Sequence, residues 1–134
     1  MDVHMNYPAV LVAAVVSYII ATLWYAVLFS KLWKKLTGIS DMKPSPLNMI
    51  IVFVGSLVMS FILFHIVVFE NAFFEISGIS GGLMAGFHCW IGFIAPVTLT
   101  NVMYEKRPWK LWILDNSFWL VSLLVMGVIL SVWQ

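Results

Sequence analysis

The chain has 134 residues, of which 63% are hydrophobic and only 10% are charged, whereas an ordinary soluble domain has about 25% charged residues. Its polar stretches are too short to bury a core of their own, and its formal net charge of +1 gives no basic surface for nucleic acid. Composition therefore excludes a soluble domain and a nucleic-acid-binding protein. It indicates a single integral membrane domain over residues 1–134.

Four apolar segments follow one another along the chain. Each is near the length of about 20 residues that a helix needs to cross the hydrocarbon core of a bilayer. We predict membrane-spanning helices over Tyr7–Phe29, Pro46–Phe69, Gly81–Met103 and Trp109–Trp133. Because the connections are short, the helices are expected to form two antiparallel hairpins. The predicted fold is an all-α bundle of four transmembrane helices.

The positive charges indicate how this bundle is oriented. All seven basic residues fall in the connection between the first and second helices or around the turn between the third and fourth. The positive-inside rule places both connections on the cytoplasmic side, and hence both termini on the outer side. These basic residues are Lys31, Lys34, Lys35, Lys43, Lys106, Arg107 and Lys110.

Small residues recur at helical spacing in the first and third predicted helices. Lipid supplies little hydrophobic driving force between helices, so residues that permit close backbone approach are typical of helix–helix contacts. The predicted packing faces comprise Gly81, Gly82, Ala85, Gly86 and Gly92 in the third helix, and Ala14, Ser17 and Ala21 in the first. A tightly packed bundle or subunit contact is the main interpretation, and a glycine-lined conduit is the alternative.

Two histidines are predicted at similar depth near the outer side. His88 shares the small-residue stripe of the third helix, so we expect it to face protein and to lie near His65 of the second. A hydrogen-bonded structural histidine, a proton-responsive group and a metal ligand are all open interpretations. His4, Glu70 and Glu75 lie on the same side, yet no metal-ligand spacing is present, so no metal or cofactor is predicted.

A second polar cluster is predicted near the cytoplasmic side. It consists of Asp115, Asn116, Asn101 and Asn48. A carboxylate at membrane depth either pairs with a cation or belongs to an ion or proton path. Lys106, Arg107 and Lys110 are the candidate partners of Asp115 for an ion pair.

Short motifs give the chain a resemblance to a known family. The motifs are Trp24, Tyr25, Phe29, Lys31 and Trp33 in the first hairpin, Trp90, Gly92 and Phe93 in the third helix, and Met126 and Gly127 in the last. In these the chain resembles small bacterial membrane proteins catalogued as domain of unknown function 1761. The resemblance implies a multi-pass protein of the bacterial inner membrane, and it carries over no catalytic or binding residue.

Nothing in the sequence indicates an enzyme, since no nucleophile has an activating base in a recognisable context. We expect a homo-oligomeric channel or transporter-like protein for an ion or small solute, because four helices can scarcely enclose a pathway alone. The alternative is a non-transporting membrane protein that assembles with itself or with a partner. In that case the polar residues serve helix packing.

Overall fold

The computed structural model describes residues 4–40 and 45–134, and these form an all-α structure. The helices are α1 (Tyr7–Leu28), α2 (Ser30–Thr37), α3 (Pro46–Phe74), α4 (Gly78–Tyr104) and α5 (Trp109–Val132). All except α2 are long and apolar enough to cross a membrane. The predicted all-α class with four long apolar helices is therefore confirmed. Lys43, one of the basic residues used above, lies outside the described residues.

Local signals explain where the helices begin and end. Asn6 accepts a hydrogen bond from the backbone N–H of Ala9 at 3.1 Å, and Ser45 accepts one from Asn48 at 3.2 Å. Such caps satisfy N–H groups that have no partner within the helix. α3 extends five residues beyond the predicted end at Phe69. It ends at Phe74 because the next residue, Glu75, has a left-handed φ of 54°, which interrupts the helical conformation.

α1 and α4 each contain a turn of π-helix, at Leu23–Leu28 and Trp90–Ile94 respectively. In α4 the cause is Pro96, whose ring lacks an N–H and would clash with the carbonyl oxygen of Gly92 in a regular α-helix. The wider turn relieves that clash. Because a π-helical turn contains an extra residue, it also rotates the faces of the helix that follow it.

α5 is the central helix and contacts α1, α3 and α4, and its contact with α4 is the most extensive in the structure. Gly82 faces Gly127 so closely that a Cβ atom on Gly82 would lie 2.5 Å from the Cα of Val128. Gly86 similarly lies against the carbonyl of Leu123. Backbone therefore meets backbone along this contact, which only glycine permits.

The predicted packing residues divide into two groups. Gly81, Gly82, Ala85 and Gly86 of α4 are buried with Ala14 and Ser17 of α1. Gly92 is exposed and has open space where a Cβ would stand, so its predicted place on the packing face is wrong for this chain. It lies in the π-helical turn, where the phase of the stripe changes. Ala21 lines a cavity described below.

Polar side chains join the helices at three buried positions. The hydroxyls of Ser17 and Ser122 are 2.7 Å apart, and the hydroxyl of Ser60 donates to the carbonyl of Val10 at 2.8 Å. Asn71 donates to the hydroxyl of Ser131 at 2.9 Å. Each bond links two helices and gives a hydrogen-bond partner to polar groups that are buried between them.

The bundle has two chemically different ends. One carries the basic residues between α1 and α3 and around the α4–α5 turn, and we name it the basic end. The other, which we name the termini end, carries the beginning of α1, the end of α5 and the α3–α4 loop. The half of the bundle toward the termini end contains an apolar core of Leu63, Phe64, Val67, Met126 and Leu130.

Candidate functional site

Asp115 lies in the second turn of α5, on the side of the bundle toward the basic end. Its side chain is half-buried, and the hydroxyl of Tyr25 donates a hydrogen bond of 2.7 Å to its Oδ1. The Tyr25 ring packs edge-on against Phe118, with a centroid distance of 5.4 Å. A neutral phenol on α1 therefore holds the carboxylate of α5 in place.

The π-helical turn of α1 presents two aromatic side chains to α5. Phe29 donates its backbone N–H to the carbonyl of Trp24, five residues earlier, at 2.9 Å. Trp24 donates its indole N–H to the carbonyl of Leu114 at 3.2 Å, next to the bond from Tyr25 to Asp115. Adjacent residues of an α-helix do not share a face, and the π-helical turn allows these two to reach neighbouring residues of α5. Such turns occur frequently at functional sites.

The largest cavity beside Asp115 is an open groove of about 640 Å³ between α1, α3 and α5, with α2 at its edge. We name it the Asp115 groove. Its aromatic lining residues are Tyr18, Tyr25, Trp33, Phe118 and Trp119. Its polar lining includes Asn48 and Ser56 of α3, and it reaches as far as Ser17 in the middle of the bundle.

A second cavity of about 200 Å³ lies on the other side of Asp115, between α4 and α5, where Asn101 and Asn116 line it. Its polar groups form a network centred on Thr98. Asn116 donates to the Thr98 hydroxyl at 3.0 Å, and the indole of Trp112 donates to it at 3.1 Å. Asn116 is thus a structural member of the network, whereas Asp115 stands at its border.

A third cavity of about 360 Å³ opens at the basic end, and Asp115 forms its inner limit. Lys106 and Arg107 of the α4–α5 turn line it together with Trp33. Arg107 lies 3.5 Å from Glu105 in an exposed pair. Asp115 is consequently shared by all three cavities, which makes it the junction of the polar space in this half of the bundle.

The four polar residues predicted near this side therefore fall around one site. Asn48 shares the Asp115 groove, and Asn101 and Asn116 share the second cavity with Asp115. Asp115 does not form the predicted ion pair with Lys106, Arg107 or Lys110. No Lys or Arg of residues 4–40 and 45–134 lies within 4.0 Å of the Asp115 carboxylate, and Tyr25 takes that place.

The two histidines lie elsewhere, and each has a hydrogen-bond partner other than the second histidine. His88 contacts Glu70, with Nδ1 and Oε2 2.9 Å apart, and its side chain is 45% exposed. His65 instead bonds through Nδ1 to the carbonyl of Phe61 in its own helix, at 2.8 Å. The prediction that His88 faces the protein interior is wrong, because the packing face of α4 is centred nearer Gly82 and Ala85 and leaves His88 at its edge.

The histidine and carboxylate groups near the termini end do not converge on a metal site. The described part of the chain contains no group of three or more His, Cys, Asp or Glu side chains placed to hold an ion. His4 and Glu75 are exposed, and Glu70 is engaged with His88.

Sequence reasoning missed the aromatic half of the Asp115 site. Trp24, Tyr25 and Trp33 fit the ordinary pattern of aromatic residues at a membrane boundary, which concealed their contacts. Tyr25 and Asp115 are 90 positions apart, and no local spacing relates them. The one available signal was the presence of Trp24, Tyr25 and Trp33 in the motif that carries the family resemblance.

Comparison with known proteins gives a family but no activity. The model of the family described as "Protein of unknown function (DUF1761)" matches residues 8–131, which is nearly the whole chain. No curated protein and no solved structure matches. The match includes Tyr25 and Asp115 and all but the terminal residues Tyr7 and Val132 of the four long helices. The chain therefore belongs to the family of domain of unknown function 1761.

Proposed function

We propose that this protein is a transporter-like or channel-forming membrane protein in which Asp115 is the central polar group of the solute pathway. The observation that carries the proposal is the position of one half-buried carboxylate at the junction of three cavities. Ionisable residues inside membrane-spanning helices are costly, and they commonly mark substrate, ion or proton pathways.

The shape of the cavities supports a pathway that is open at one end. The third cavity connects the basic end to Asp115, and the Asp115 groove continues to the middle of the bundle near Ser17. Beyond that level the buried apolar core fills the bundle toward the termini end. A hydrophobic constriction of this kind is typical of a closed gate. We therefore interpret the described conformation as open toward the basic end.

We further propose that the protein functions as a homo-oligomer. One chain supplies only four long helices in its described residues, and its Asp115 groove is open at its side, along the part of α3 nearest the basic end. In that part of α3 the apolar side chains of Leu47, Ile50, Ile51 and Val54 are exposed. Contact between copies would complete the wall of the groove without a new fold.

We propose an orientation with the basic end in the cytoplasm of a bacterial cell and the termini outside its inner membrane. The described basic residues of the two connections lie together at one end of the bundle. The positive-inside rule states that such loops are on the cytoplasmic side, and this supports the placement.

Cysteine labelling in intact cells tests the orientation. Cys89 is buried and is first replaced by alanine, after which Ser40→Cys and Ser80→Cys place one exposed thiol at each end. We expect a membrane-impermeant maleimide to label the variant at position 80 and to label position 40 only after the cells are opened. Labelling of position 40 alone in intact cells would show the reverse orientation.

Solute flux into liposomes tests the function itself. Purified protein is reconstituted, and uptake of protons, common inorganic ions and tetraethylammonium is compared with uptake by protein-free liposomes. We expect flux above the protein-free level for at least one of these solutes. If none moves, transport is rejected in favour of the alternative role, a membrane protein that assembles with itself or a partner without moving a solute.

A further inference from the structure

We propose that the Asp115 groove binds an organic cation that carries an apolar body, such as a quaternary ammonium or a protonated amine with aromatic or alkyl substituents. This inference rests on the proposed function, in that it assigns a ligand class to the same site. Three independent properties of the groove support it: its charge, its aromatic walls and its size.

The charge of the groove is that of an incompletely satisfied carboxylate. Tyr25 donates one hydrogen bond to Oδ1 of Asp115, whereas an ionised carboxylate can accept about four. Within residues 4–40 and 45–134, no basic side chain lies within 4.0 Å of it, and Arg107, which lines the other two cavities but not the groove, pairs instead with Glu105. Its remaining acceptor positions are therefore available to a ligand, and a cation is the complementary species.

The walls of the groove are suited to a large, weakly hydrated cation. Tyr18 and Trp33 line it from α1 and α2, and Phe118 and Trp119 line it from α5 within four residues of Asp115. The face of an aromatic ring attracts a cation, most strongly when water is excluded. Quaternary ammonium groups are recognised in this way, by several rings around one positive centre.

The rest of the lining combines apolar side chains with uncharged polar ones, and this favours an organic cation over a multivalent metal ion. Ala21, Ala26, Met49 and Val52 can contact an apolar body, and the oxygens of Ser17, Thr22, Asn48 and Ser56 carry no charge. A divalent metal ion usually binds several charged or strongly coordinating ligands, and among the described residues Asp115 is the one acidic side chain that lines this groove. The volume of about 640 Å³ lies within the range of about 300–1,000 Å³ usual for small-molecule sites.

Equilibrium binding of two matched ions tests the ligand class. Tetraphenylphosphonium and tetraphenylborate have nearly the same shape and opposite charge. The full chain is purified in detergent micelles, and binding of each radiolabelled ion is measured by dialysis against protein-free micelles. We expect saturable binding of the phosphonium and none of the borate. Equal binding of both ions, or no binding of the phosphonium, would overturn the proposal.

Three variants locate the binding site. Asp115→Asn keeps the shape of the side chain but removes its charge, and we expect phosphonium affinity to fall about tenfold or more, as when a charged hydrogen-bond partner is removed. Glu70→Gln removes a carboxylate near the termini end and should leave affinity unchanged. Ala21→Phe fills the groove without altering Asp115, so it should also abolish binding, and it keeps the test decisive if Asp115→Asn does not fold. Undiminished binding by the folded variants at both position 21 and position 115 would place the cation elsewhere and overturn the proposal.

Free cations and lipid headgroups share the ammonium chemistry, and one further arm separates these sources. The titration is repeated in micelles that contain phosphatidylethanolamine. Unchanged affinity supports a free organic cation, whereas competitive loss of binding assigns the groove to the headgroup and overturns the free-ligand proposal.

The outcome is independent of the flux experiment. Asp115-dependent binding of the phosphonium without any flux would retain the ligand class and reject transport. Asp115-dependent flux of an inorganic ion without phosphonium binding would retain transport and reject the organic cation.

Discussion

Gly82→Val is expected to lower the free energy of unfolding by about 3 kcal/mol, at the upper end of the range for an overpacked core. A Cβ atom at this position would lie against the carbonyl group of Gly127 and 2.5 Å from the Cα of Val128. Both are backbone atoms, so no change of side-chain rotamer can relieve the contact. α4 must then move away from α5, and the most extensive helix contact of the bundle is lost.

Gly55→Val is the matched control for this prediction. Gly55 lies in α3, where a Cβ atom would meet nothing within 4 Å. We therefore expect its stability to stay within about 0.5 kcal/mol of the parent, as is usual for a surface substitution. Unfolding of both variants in mixed micelles of detergent and dodecyl sulfate provides the measurement. Equal stability of the two valine variants would show that the crossing of α4 and α5 is looser than the structure describes.

Asp115→Asn is expected to reduce the flux measured in liposomes by about tenfold or more, because loss of a charged interaction worth about 1.5–3 kcal/mol changes a rate by at least that factor. The substitution keeps an acceptor oxygen for Tyr25, so the bond that joins α1 to α5 can persist. The effect should accordingly appear in flux and not in thermal stability. Comparison of initial rates at equal amounts of reconstituted protein provides the measurement.

His88→Ala serves as the control for the flux experiment. His88 lies near the termini end, where it pairs with Glu70, and it lines none of the three cavities described around Asp115. Because an exposed pair contributes about 0–1 kcal/mol, its removal should change neither stability nor flux appreciably. A loss of flux in this variant together with normal flux in Asp115→Asn would show that the pathway runs past His88 of α4 and not past Asp115 of α5.

The Asp115 groove gives the protein an asymmetry that the proposed function requires. The three cavities and the carboxylate lie toward the basic end, whereas the other half of the bundle contains the apolar core. A carrier of this shape must open the core around Phe64 and Met126 to release its solute on the other side. The π-helical turns at Leu23–Leu28 and Trp90–Ile94 lie in α1 and α4, which both pack against α5, and such turns are frequent at functional sites.

The long helices were predictable because the requirement of the bilayer acts locally. A run of about 20 apolar residues has few alternatives in lipid, since every backbone polar group must be satisfied within the segment. The burial of Gly82 and Gly86 was also predictable from the sequence. Small residues at helical spacing indicate close backbone approach whichever helix supplies the partner. α2 was not predicted, because its eight residues Ser30–Thr37 are mixed in polarity and too short to give a spanning signal.

The sequence by itself determined the class of protein, the four apolar helices, the glycine-rich packing of α4 and the presence of Asp115 among polar neighbours. Only the tertiary structure decided which groups meet. It placed the Tyr25 hydroxyl, and not a lysine or arginine, on Asp115, and it gave His88 and His65 different partners, Glu70 and the carbonyl of Phe61. The physical reason is that hydropathy acts residue by residue along one helix, whereas a partnership depends on the rotation of two helices. The π-helical turns at Leu23–Leu28 and Trp90–Ile94 change that rotation.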